Sequence, residues 1–227
     1  MSEASVFSPR LDILPASQRA LWPELAATPP EFTLYGVTAI ALQLGHRQSV
    51  DFDFFSVEDF DPAELARRIP YLAAGEIVQR ETNTLTMRVR RHDWVFVSYF
   101  RPPNVRPFAP LMTARDNGLK VAALIDLAGL KAELVQARAA AKDYIDLDAL
   151  FASGIRPIEA IAAAQIIYGT PYNPWITVKA LTSFVDGDLP GLDKAVRRRL
   201  QDAADSVDLH DLPRAISDLR ARYGRPA

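Results

Sequence analysis

The sequence contains no cysteine and only three histidines among its 227 residues. Without cysteine, the chain has no disulfide scaffold, no thiolate zinc site and no cysteine nucleophile. The histidines, at positions 46, 92 and 210, lack the spacing of a metal-binding pair. Carboxylates, hydroxyls, lysines and arginines therefore remain as the side chains that can carry chemistry.

A strong excess of charge and a long apolar run are also missing. The 26 Lys and Arg residues nearly balance the 28 Asp and Glu residues, for a net charge of -2. No global positive field therefore attracts nucleic acid, although local basic clusters still can. No apolar run is long enough to span a membrane, and the N-terminus lacks the basic start and apolar core of a signal peptide. These absences predict a soluble, cytoplasmic protein that does not associate with a membrane.

The stretch from residue 34 to residue 55 alternates strand, turn, helix and strand signals. An apolar run ends at Gly36, a residue suited to a turn or to close approach of a ligand. Residues 38–46 then have helical spacing, and residues 50–54 alternate with period two. Asp51 and Asp53 should therefore share one face of a strand, opposite the side chains of Val50, Phe52 and Phe54.

Two adjacent carboxylates on one strand face are hard to explain by packing, because they repel each other and are seldom buried unless paired. A hard cation, Mg²⁺ or Mn²⁺, would stabilise both, and Mg²⁺ often binds one or two carboxylates together with substrate phosphates. The helix that starts near Gly36 offers unpaired N–H groups and a positive dipole end to a phosphate. Residues 36–53 thus combine a phosphate site and a metal site, which is the logic of nucleotide-dependent phosphoryl transfer.

Residues 36–42 (GVTAIAL) and 45–55 (GHRQSVDFDFF) resemble the first motif of the polymerase-β-like nucleotidyltransferases. Within that superfamily the chain looks like the AbiEii/AbiGii toxins, which include the MenT toxins of type IV toxin–antitoxin systems. The resemblance implies an α/β fold: a nucleotidyltransferase core with a mixed sheet and an N-terminal lead-in at residues 1–110, and a helical domain at residues 111–227 that completes the active cleft. Val37 departs from the pattern, because a second Gly or a Ser is frequent at this position.

A second stretch resembles the family's second motif, with Lys131, then Arg138, then Asp143 and Asp146. Lys131 and Arg138 are seven residues apart, so they should lie near one face of a continuous helix. The resemblance implies that Lys131 reaches the nucleotide phosphates, that Asp143 orients basic partners or assists the acceptor, and that Asp146 and Arg138 support nucleotide binding. The plainer interpretation is a snorkelling lysine and helical ion pairs.

The resemblance further implies a metal-dependent enzyme that transfers NMP from an NTP to a hydroxyl of an RNA, the 3′ end of tRNA, or of a protein. Asp51 and Asp53 would bind Mg²⁺ or Mn²⁺, and the nucleotide-binding residues of the first motif are Gly36, Thr38, Arg47 and Ser49. Growth inhibition would be countered by a cognate antitoxin.

A third carboxylate of the superfamily would fall near residues 97–99, where Ser98 stands. Two alternatives therefore remain open: a catalytically degenerate nucleotide-binding or regulatory protein of the same fold, and a helical interaction module. A bare Asp-x-Asp pair can also be no more than a turn or a solvated edge.

Outside these motifs, β-rich runs around a short turn predict a hairpin of residues 84–90 and 94–100, preceded by a strand at 77–80. A helix should begin after Asp61 with Pro62 in its first turn. Prolines make residues 101–118 the expected domain boundary. Beyond it the apolar spacing predicts helices over residues 119–138, 143–151, 158–168, 174–184, 192–204 and 212–222.

Overall fold

The computed structural model describes residues 5–103 and 105–224. The first four residues of the predicted N-terminal lead-in lie outside the described residues. The chain divides into two compact units: Met1–Arg106 with Pro110–Ala122, and Pro107–Ala109 with Ala123–Ala227. The assignment of residues 1–110 and 111–227 to a catalytic core and a helical domain that completes the cleft stays a prediction.

The first unit is built on a mixed sheet, which has eight strands within the described residues. In chain order the strands are β1 (Val6–Phe7), β2 (Thr33–Tyr35), β3 (Asp51–Phe55), β4 (Glu76–Glu81), β5 (Thr84–Arg90), β6 (Trp94–Phe100), β7 (Met112–Ala114) and β8 (Lys120–Val121). Their order across the sheet is β1-β7-β8-β2-β3-β6-β5-β4. Strand β3 lies antiparallel to β2 and parallel to β6, so the strand that carries Asp51 and Asp53 lies in the middle of the sheet.

One face of the sheet is a core and the other is partly open, as the alternation of residue types dictates. Buried side chains of the core face come from three neighbouring strands: Phe52, Phe54, Leu85, Met87, Val89, Val95, Val97 and Tyr99. The ring of Phe54 stacks on that of Tyr99 at 5.1 Å between centroids. Phe96, on the other face, is 39% exposed. The predicted hairpin of residues 84–90 and 94–100 is confirmed with both boundaries.

Three helices pack on the strands of this unit: α1 (Ala16–Leu21), α2 (Gly36–Leu44) and α3 (Pro62–Arg68). Helix α2 follows β2 without a loop and ends at Gly45, which adopts the left-handed conformation that commonly terminates helices. Helix α3 begins where predicted, because the side chain of Asp61 accepts hydrogen bonds from the backbone N–H groups of Ala63 and Glu64.

The second unit consists of helices. They are α4 (Leu124–Ala137), α5 (Ala141–Ala152), α6 (Pro157–Tyr168), α7 (Pro174–Ala180), α8 (Lys194–Asp205) and α9 (Leu212–Tyr223). Helix α4 packs against α5, α6 and α7. At Gly129 it approaches α6 so closely that an added Cβ would lie 2.8 Å from the backbone nitrogen of Ala164. A residue without a side chain is therefore required at this crossing.

Some predicted boundaries are wrong. The expected loop at 101–118 contains β7, and the helix expected from Leu119 begins only at Leu124, because Lys120 and Val121 form β8. The helix expected to reach residue 184 ends at Ala180. Val50, predicted to lie in the strand on the same face as Phe52 and Phe54, instead precedes β3 and is 53% exposed.

Among the described residues, no single helix is long and apolar enough to cross a membrane; only the pair α5 and α6 passes that test jointly, across a bend of 116°.

Candidate functional site

The two carboxylates of β3 lie on the partly open face of the sheet. Asp51 and Asp53 are both partly exposed, whereas Phe52 and Phe54 between and after them are fully buried. The predicted sharing of one face by the two carboxylates is thereby confirmed. Packing of the two phenyl rings holds the strand in register, because a slip of one residue would turn both rings toward solvent.

The turn at Gly36 brings the beginning of α2 against Asp53. Tyr35, the last residue of β2, pairs with Asp53 across the sheet, and Gly36 then takes a φ of +69°. A Cβ at Gly36 would lie 2.9 Å from Oδ2 of Asp53. Both the backbone angle and the close approach require glycine. The positive end of the helix dipole thus lies beside the carboxylate, where it stabilises negative charge.

Buried hydroxyls connect α2 to the start of β3. Thr38 is 2% exposed and Ser49 is 3% exposed. Their hydroxyls are hydrogen-bonded to each other at 2.5 Å, and the Thr38 hydroxyl also donates to the backbone carbonyl of Asp51. These bonds fix the backbone that carries Asp51. A contact between the Thr38 hydroxyl and phosphate, as the resemblance implies, would require one of these bonds to be given up.

The segment before β3 holds Arg47, another predicted nucleotide contact, and is anchored by a residue that sequence reasoning missed. Arg47 is partly buried, and its Nη1 donates to the backbone carbonyl of Gln48 at 3.3 Å. The amide of Gln18, on α1, donates to the backbone carbonyl of Val50 at 2.6 Å. Gln18 is 32 positions away in sequence, and its helix gives no local sign of this contact.

Ser98 occupies the place beside Asp53 on the neighbouring strand. The register pairs Asp53 of β3 with Ser98 of β6, and Ser98 with Thr86 of β5. The Thr86 hydroxyl donates to Oγ of Ser98 at 3.2 Å. A row of one carboxylate and two hydroxyls therefore crosses the sheet where the superfamily resemblance implies a third acid.

Four charged side chains of the second predicted motif come together in the second unit, and we call them the buried ion cluster: Lys131, Arg138, Asp143 and Asp146. The Nζ atom of Lys131 lies 2.6 Å from Oδ1 of Asp143 and 2.7 Å from Oδ2 of Asp146. Arg138 binds Asp143 through two nitrogens, at 2.7 and 3.1 Å. Two cations thus neutralise two carboxylates whose side chains are fully buried.

The environment of Asp143 contains two opposing influences on its pKa. Burial raises the pKa, but the hydrogen bonds and charges of Arg138 and Lys131 more than offset this, so that the pKa of Asp143 lies below its usual value. Asp143 is therefore a fixed anion that holds two cations in place.

The predicted continuous helix through Lys131 and Arg138 is wrong. Helix α4 ends at Ala137, and Arg138 is extended, with φ −152° and ψ 141°. The change of direction is what turns its guanidinium back to Asp143 on α5. The side chain of Arg138 is 49% exposed, against 8% for that of Lys131.

Arg138 also borders a cavity of about 310 Å³ within the second unit. Its wall includes the polar side chains of Gln136, Lys179, Ser183 and Asp186. The half-exposed guanidinium is therefore accessible to a small ligand, which is the property that a substrate contact requires.

Asp126 is a further buried carboxylate, to which sequence reasoning gave no role. It lies on α4 and accepts hydrogen bonds from the backbone N–H groups of Phe108 and Ala109, at 3.1 and 3.3 Å. Burial raises its pKa to about 7, against the lowering effect of these two bonds. Asp126 ties residues 107–109 to the second unit, and its carboxyl group titrates near neutrality.

Within residues 5–103 and 105–224, no group of three or more His, Cys, Asp or Glu side chains could by itself hold a metal ion. A cation at Asp51 and Asp53 would therefore need ligands from its substrate, which is how Mg²⁺ is commonly held at phosphate-transfer sites.

Comparison with known proteins identifies a family whose model matches most of the chain. The model of the family described as nucleotidyl transferase AbiEii toxin, type IV toxin–antitoxin system, matches residues 19–222. A curated relative, an uncharacterised protein from Aquifex aeolicus (strain VF5), is 31% identical over 119 residues, which are 52% of this chain and 56% of the relative. The chain thus spans little more than half of that relative's length.

Two solved structures share the fold. MenT4, a nucleotidyltransferase toxin from Mycobacterium tuberculosis, has a TM-score of 0.60 at 18% identity, over 90% of this chain and 87% of its own. A protein from H. pylori assigned to the nucleotidyltransferases has a TM-score of 0.51 at 16% identity, over 92% and 95% of the two chains. The predicted family and the predicted α/β nucleotidyltransferase fold with a helical second half are confirmed.

Proposed function

Because the chain belongs to the AbiEii family of nucleotidyltransferase toxins of type IV toxin–antitoxin systems, we propose that it transfers NMP from an NTP to a hydroxyl group. The acceptor is an RNA, with the 3′ end of tRNA favoured, or a protein. The observation that carries the proposal is the placing of Asp53 against the beginning of α2 at Gly36. A helix end that binds phosphate and a carboxylate that binds a cation thereby adjoin.

The residues present fit a divalent cation. Asp51 and Asp53 offer two carboxylates from one strand face, and oxygen ligands of this kind suit Mg²⁺ or Mn²⁺. When bound, the cation neutralises triphosphate charge and polarises the α-phosphate. The carboxylates are held for this task by the buried phenyl rings of β3 and by the Thr38 and Ser49 hydroxyls.

The chain's own groups act by binding and orienting the reactants. The N–H groups at the beginning of α2 bind the β- and γ-phosphates of the NTP. The acceptor oxygen attacks the α-phosphorus, the bond from that phosphorus to the bridging oxygen breaks, pyrophosphate leaves, and the hydroxyl proton passes to solvent. We assign to Thr38 the positioning of Asp51. Arg138, exposed beside its cavity, is assigned a phosphate contact, with Lys131, Asp143 and Asp146 holding it in place.

In the cell this activity would inhibit growth and would be countered by a cognate antitoxin, as the family description implies. Because NTPs and tRNA are the proposed substrates, the cytoplasm is the proposed place of action.

A label-transfer assay tests the proposal. The protein is incubated with Mg²⁺, one α-labelled NTP at a time and total tRNA, beside the Asp51→Ala/Asp53→Ala double variant. Label on tRNA with the wild type only is expected, because the double variant loses both proposed metal ligands. Equal labelling by the double variant would contradict the proposed mechanism.

A second candidate function rests on Ser98. Since this serine stands beside Asp53 where a third acid is expected, the chain could bind a nucleotide without transferring it and act as a regulatory protein. Mg²⁺-dependent NTP binding without any labelled product, on tRNA or protein, would favour this second function.

A further inference from the structure

A cavity of about 420 Å³ opens beside Asp53 within the first unit. Besides Asp53, its wall consists of Phe55, Thr84, Phe100, Arg101, Pro102 and Pro103. Two phenyl rings and two prolines make this wall mostly apolar, with one guanidinium and one hydroxyl among them. Small-molecule sites have this size and this mixture of many apolar groups and few polar ones.

The position of the cavity follows from the register of the sheet. Strand β2 runs antiparallel to β3, with Thr33 opposite Phe55 and Tyr35 opposite Asp53. Gly36 therefore lies on the side of Asp53 that is toward Asp51, whereas Phe55 and Phe100 lie beyond Asp53 in the other direction. The phosphate-binding turn and the cavity thus flank the Asp53 carboxylate from opposite sides.

In phosphoryl transfer the attacking and leaving oxygens lie roughly in line with the phosphorus. Under the proposed function, pyrophosphate leaves on the side of Gly36, where the beginning of α2 holds it. With the α-phosphorus held over the Asp53 carboxylate, as the proposed cation site requires, the acceptor hydroxyl approaches from the side of Asp53 opposite Gly36, which is the side of the cavity. The cavity is therefore placed to hold the part of the acceptor adjoining its hydroxyl.

The wall chemistry matches an unpaired nucleobase. Phe55 stacks on Tyr35 at 4.7 Å, which fixes its ring, and meets Phe100 edge to face at 6.1 Å. Unpaired bases of RNA ends are bound by stacking on such rings and on Arg guanidinium planes. Arg101, which pairs with Asp59 at 3.2 Å and has a side chain 31% exposed, supplies the guanidinium.

We propose that this cavity binds the terminal unpaired base of the acceptor RNA, with Phe100 as the stacking surface, Phe55 as a fixed side wall and Arg101 as the polar contact. The inference rests on the proposed function, to which it adds the acceptor site. It makes Phe100 a specificity-determining residue for the acceptor and not for the NTP.

Binding can be measured without turnover. A short single-stranded RNA that ends in a 3′-deoxynucleotide cannot accept NMP, and fluorescence anisotropy gives its Kd. Phe100→Leu keeps an apolar side chain but removes the ring, and it should weaken binding about fivefold or more, the lower end of base–aromatic stacking. Phe100→Trp should bind within about twofold of the wild type, because it restores a ring. Phe7→Leu, in β1 at the opposite edge of the sheet, is the matched control and should leave the Kd unchanged.

An RNA with an abasic 3′-terminal residue identifies the group that is bound. The wild type should bind it about fivefold or more weakly than the intact RNA, whereas Phe100→Leu should bind the two RNAs about equally. The proposal would be overturned if the loss of affinity from Phe100→Leu and the loss from the abasic residue simply added, since the ring and the terminal base would then not contact each other.

Steady-state kinetics separate this inference from the proposed function. The expected result is a raised KM for RNA with an unchanged KM for NTP in Phe100→Leu. A raised KM for NTP alone would assign the cavity to the donor base and overturn the acceptor assignment, as would label found on protein and never on RNA. If the wild type transfers no label to any acceptor, the proposed function fails as well.

Discussion

The carboxylates of β3 and those of α5 are built into the protein in opposite ways. Asp51 and Asp53 are partly exposed and lie on a strand, next to the beginning of a helix. Asp143 and Asp146 are fully buried between α4 and α5 and are bound by Lys131. The strand carboxylates Asp51 and Asp53 are thus accessible from solution, whereas the carboxylates of the buried ion cluster are enclosed with Lys131.

Under the proposed function, this difference separates a site for an exchangeable ligand from a rigid support. A buried ion pair is weak evidence for added stability, but removing one partner leaves an uncompensated charge and is strongly destabilising. Removing a partly exposed carboxylate should cost less, because water screens the charges around it. The two clusters should therefore respond differently to the same kind of substitution.

The largest effect on folding is expected at Lys131. Lys131→Met leaves Asp143 and Asp146 without their shared cation, and we expect a loss of about 3–5 kcal/mol in the free energy of unfolding, measured with urea. Lys142→Met, at an exposed position one residue before Asp143, should change it by less than about 0.5 kcal/mol. If Asp51→Asn/Asp53→Asn destabilised the protein as much as Lys131→Met, the contrast between the clusters would be lost.

Asp126 and Asp143 should make stability depend on pH in opposite ways, because Asp126 is buried without the ion pairs that lower the pKa of Asp143. Its pKa is about 7 in the folded state and about 4 in the unfolded chain. Between these values the folded state keeps a proton that the unfolded state has released, so stability falls as pH rises from about 4 to 7. Asp143, with its lowered pKa, acts in the opposite sense and loses its stabilising effect as pH falls below about 4.

The test for Asp126 compares urea unfolding at pH 5 and pH 8. From pH 5 to pH 8 the wild type should lose about 3 kcal/mol more than Asp126→Asn, which cannot titrate. Subtracting the pH dependence of one protein from that of the other removes the contribution of the titrating groups that they share. Equal pH dependence would mean that this carboxyl group is ionised in the folded protein at pH 5.

Thr38 tests how far hydrogen bonds support the strand that carries Asp51 and Asp53. Thr38→Val removes the hydroxyl that bonds Ser49 and the Asp51 carbonyl, and we expect a loss of about 1–3 kcal/mol together with reduced transfer. Thr38→Ser keeps the hydroxyl and serves as the control. If the valine variant kept full stability and activity, the positioning role assigned to Thr38 would be wrong.

The smallest loss of stability is expected at Gly36, where an alanine variant tests backbone strain and the close approach to Asp53 separately. Gly36 and Gly118 have nearly the same φ, +69° and +73°, but only at Gly36 would a Cβ meet another group within 4 Å. Each alanine variant should lose about 1–2 kcal/mol through the left-handed backbone. Gly36→Ala should also displace Asp53 and lower transfer at least about tenfold, whereas Gly118→Ala should keep its activity. Equal activities would contradict the proposed role of the Gly36–Asp53 contact.

The parts of the fold that could be predicted depend on local patterns. The shared face of Asp51 and Asp53 follows from period-two alternation, and the start of α3 follows from Asp61 and Pro62. The positions of Thr38 and Ser49 in the first motif could also be named, but not their mutual hydrogen bond, because it depends on how α2 packs on β3.

The parts that could not be predicted depend on partners distant in sequence. Strand β8 has two residues and exists because Val121 pairs with Leu34 of β2. Its short sequence continues smoothly into the apolar spacing of α4, so a helix was the better local interpretation. Likewise, nothing near Arg138 shows that the chain leaves the helix there and that the side chain returns to Asp143.

The pairing of β2 with β8 also has a consequence for biosynthesis. A ribosome makes both carboxylates of β3 and the turn at Gly36 before it reaches residue 56, but β2 stays an unpaired edge on one side until residue 121 has emerged. Long-range pairing of this kind is slow to form and leaves strand edges exposed while it is incomplete. The nascent chain therefore contains Asp51, Asp53 and Gly36 long before these residues can take up their final geometry.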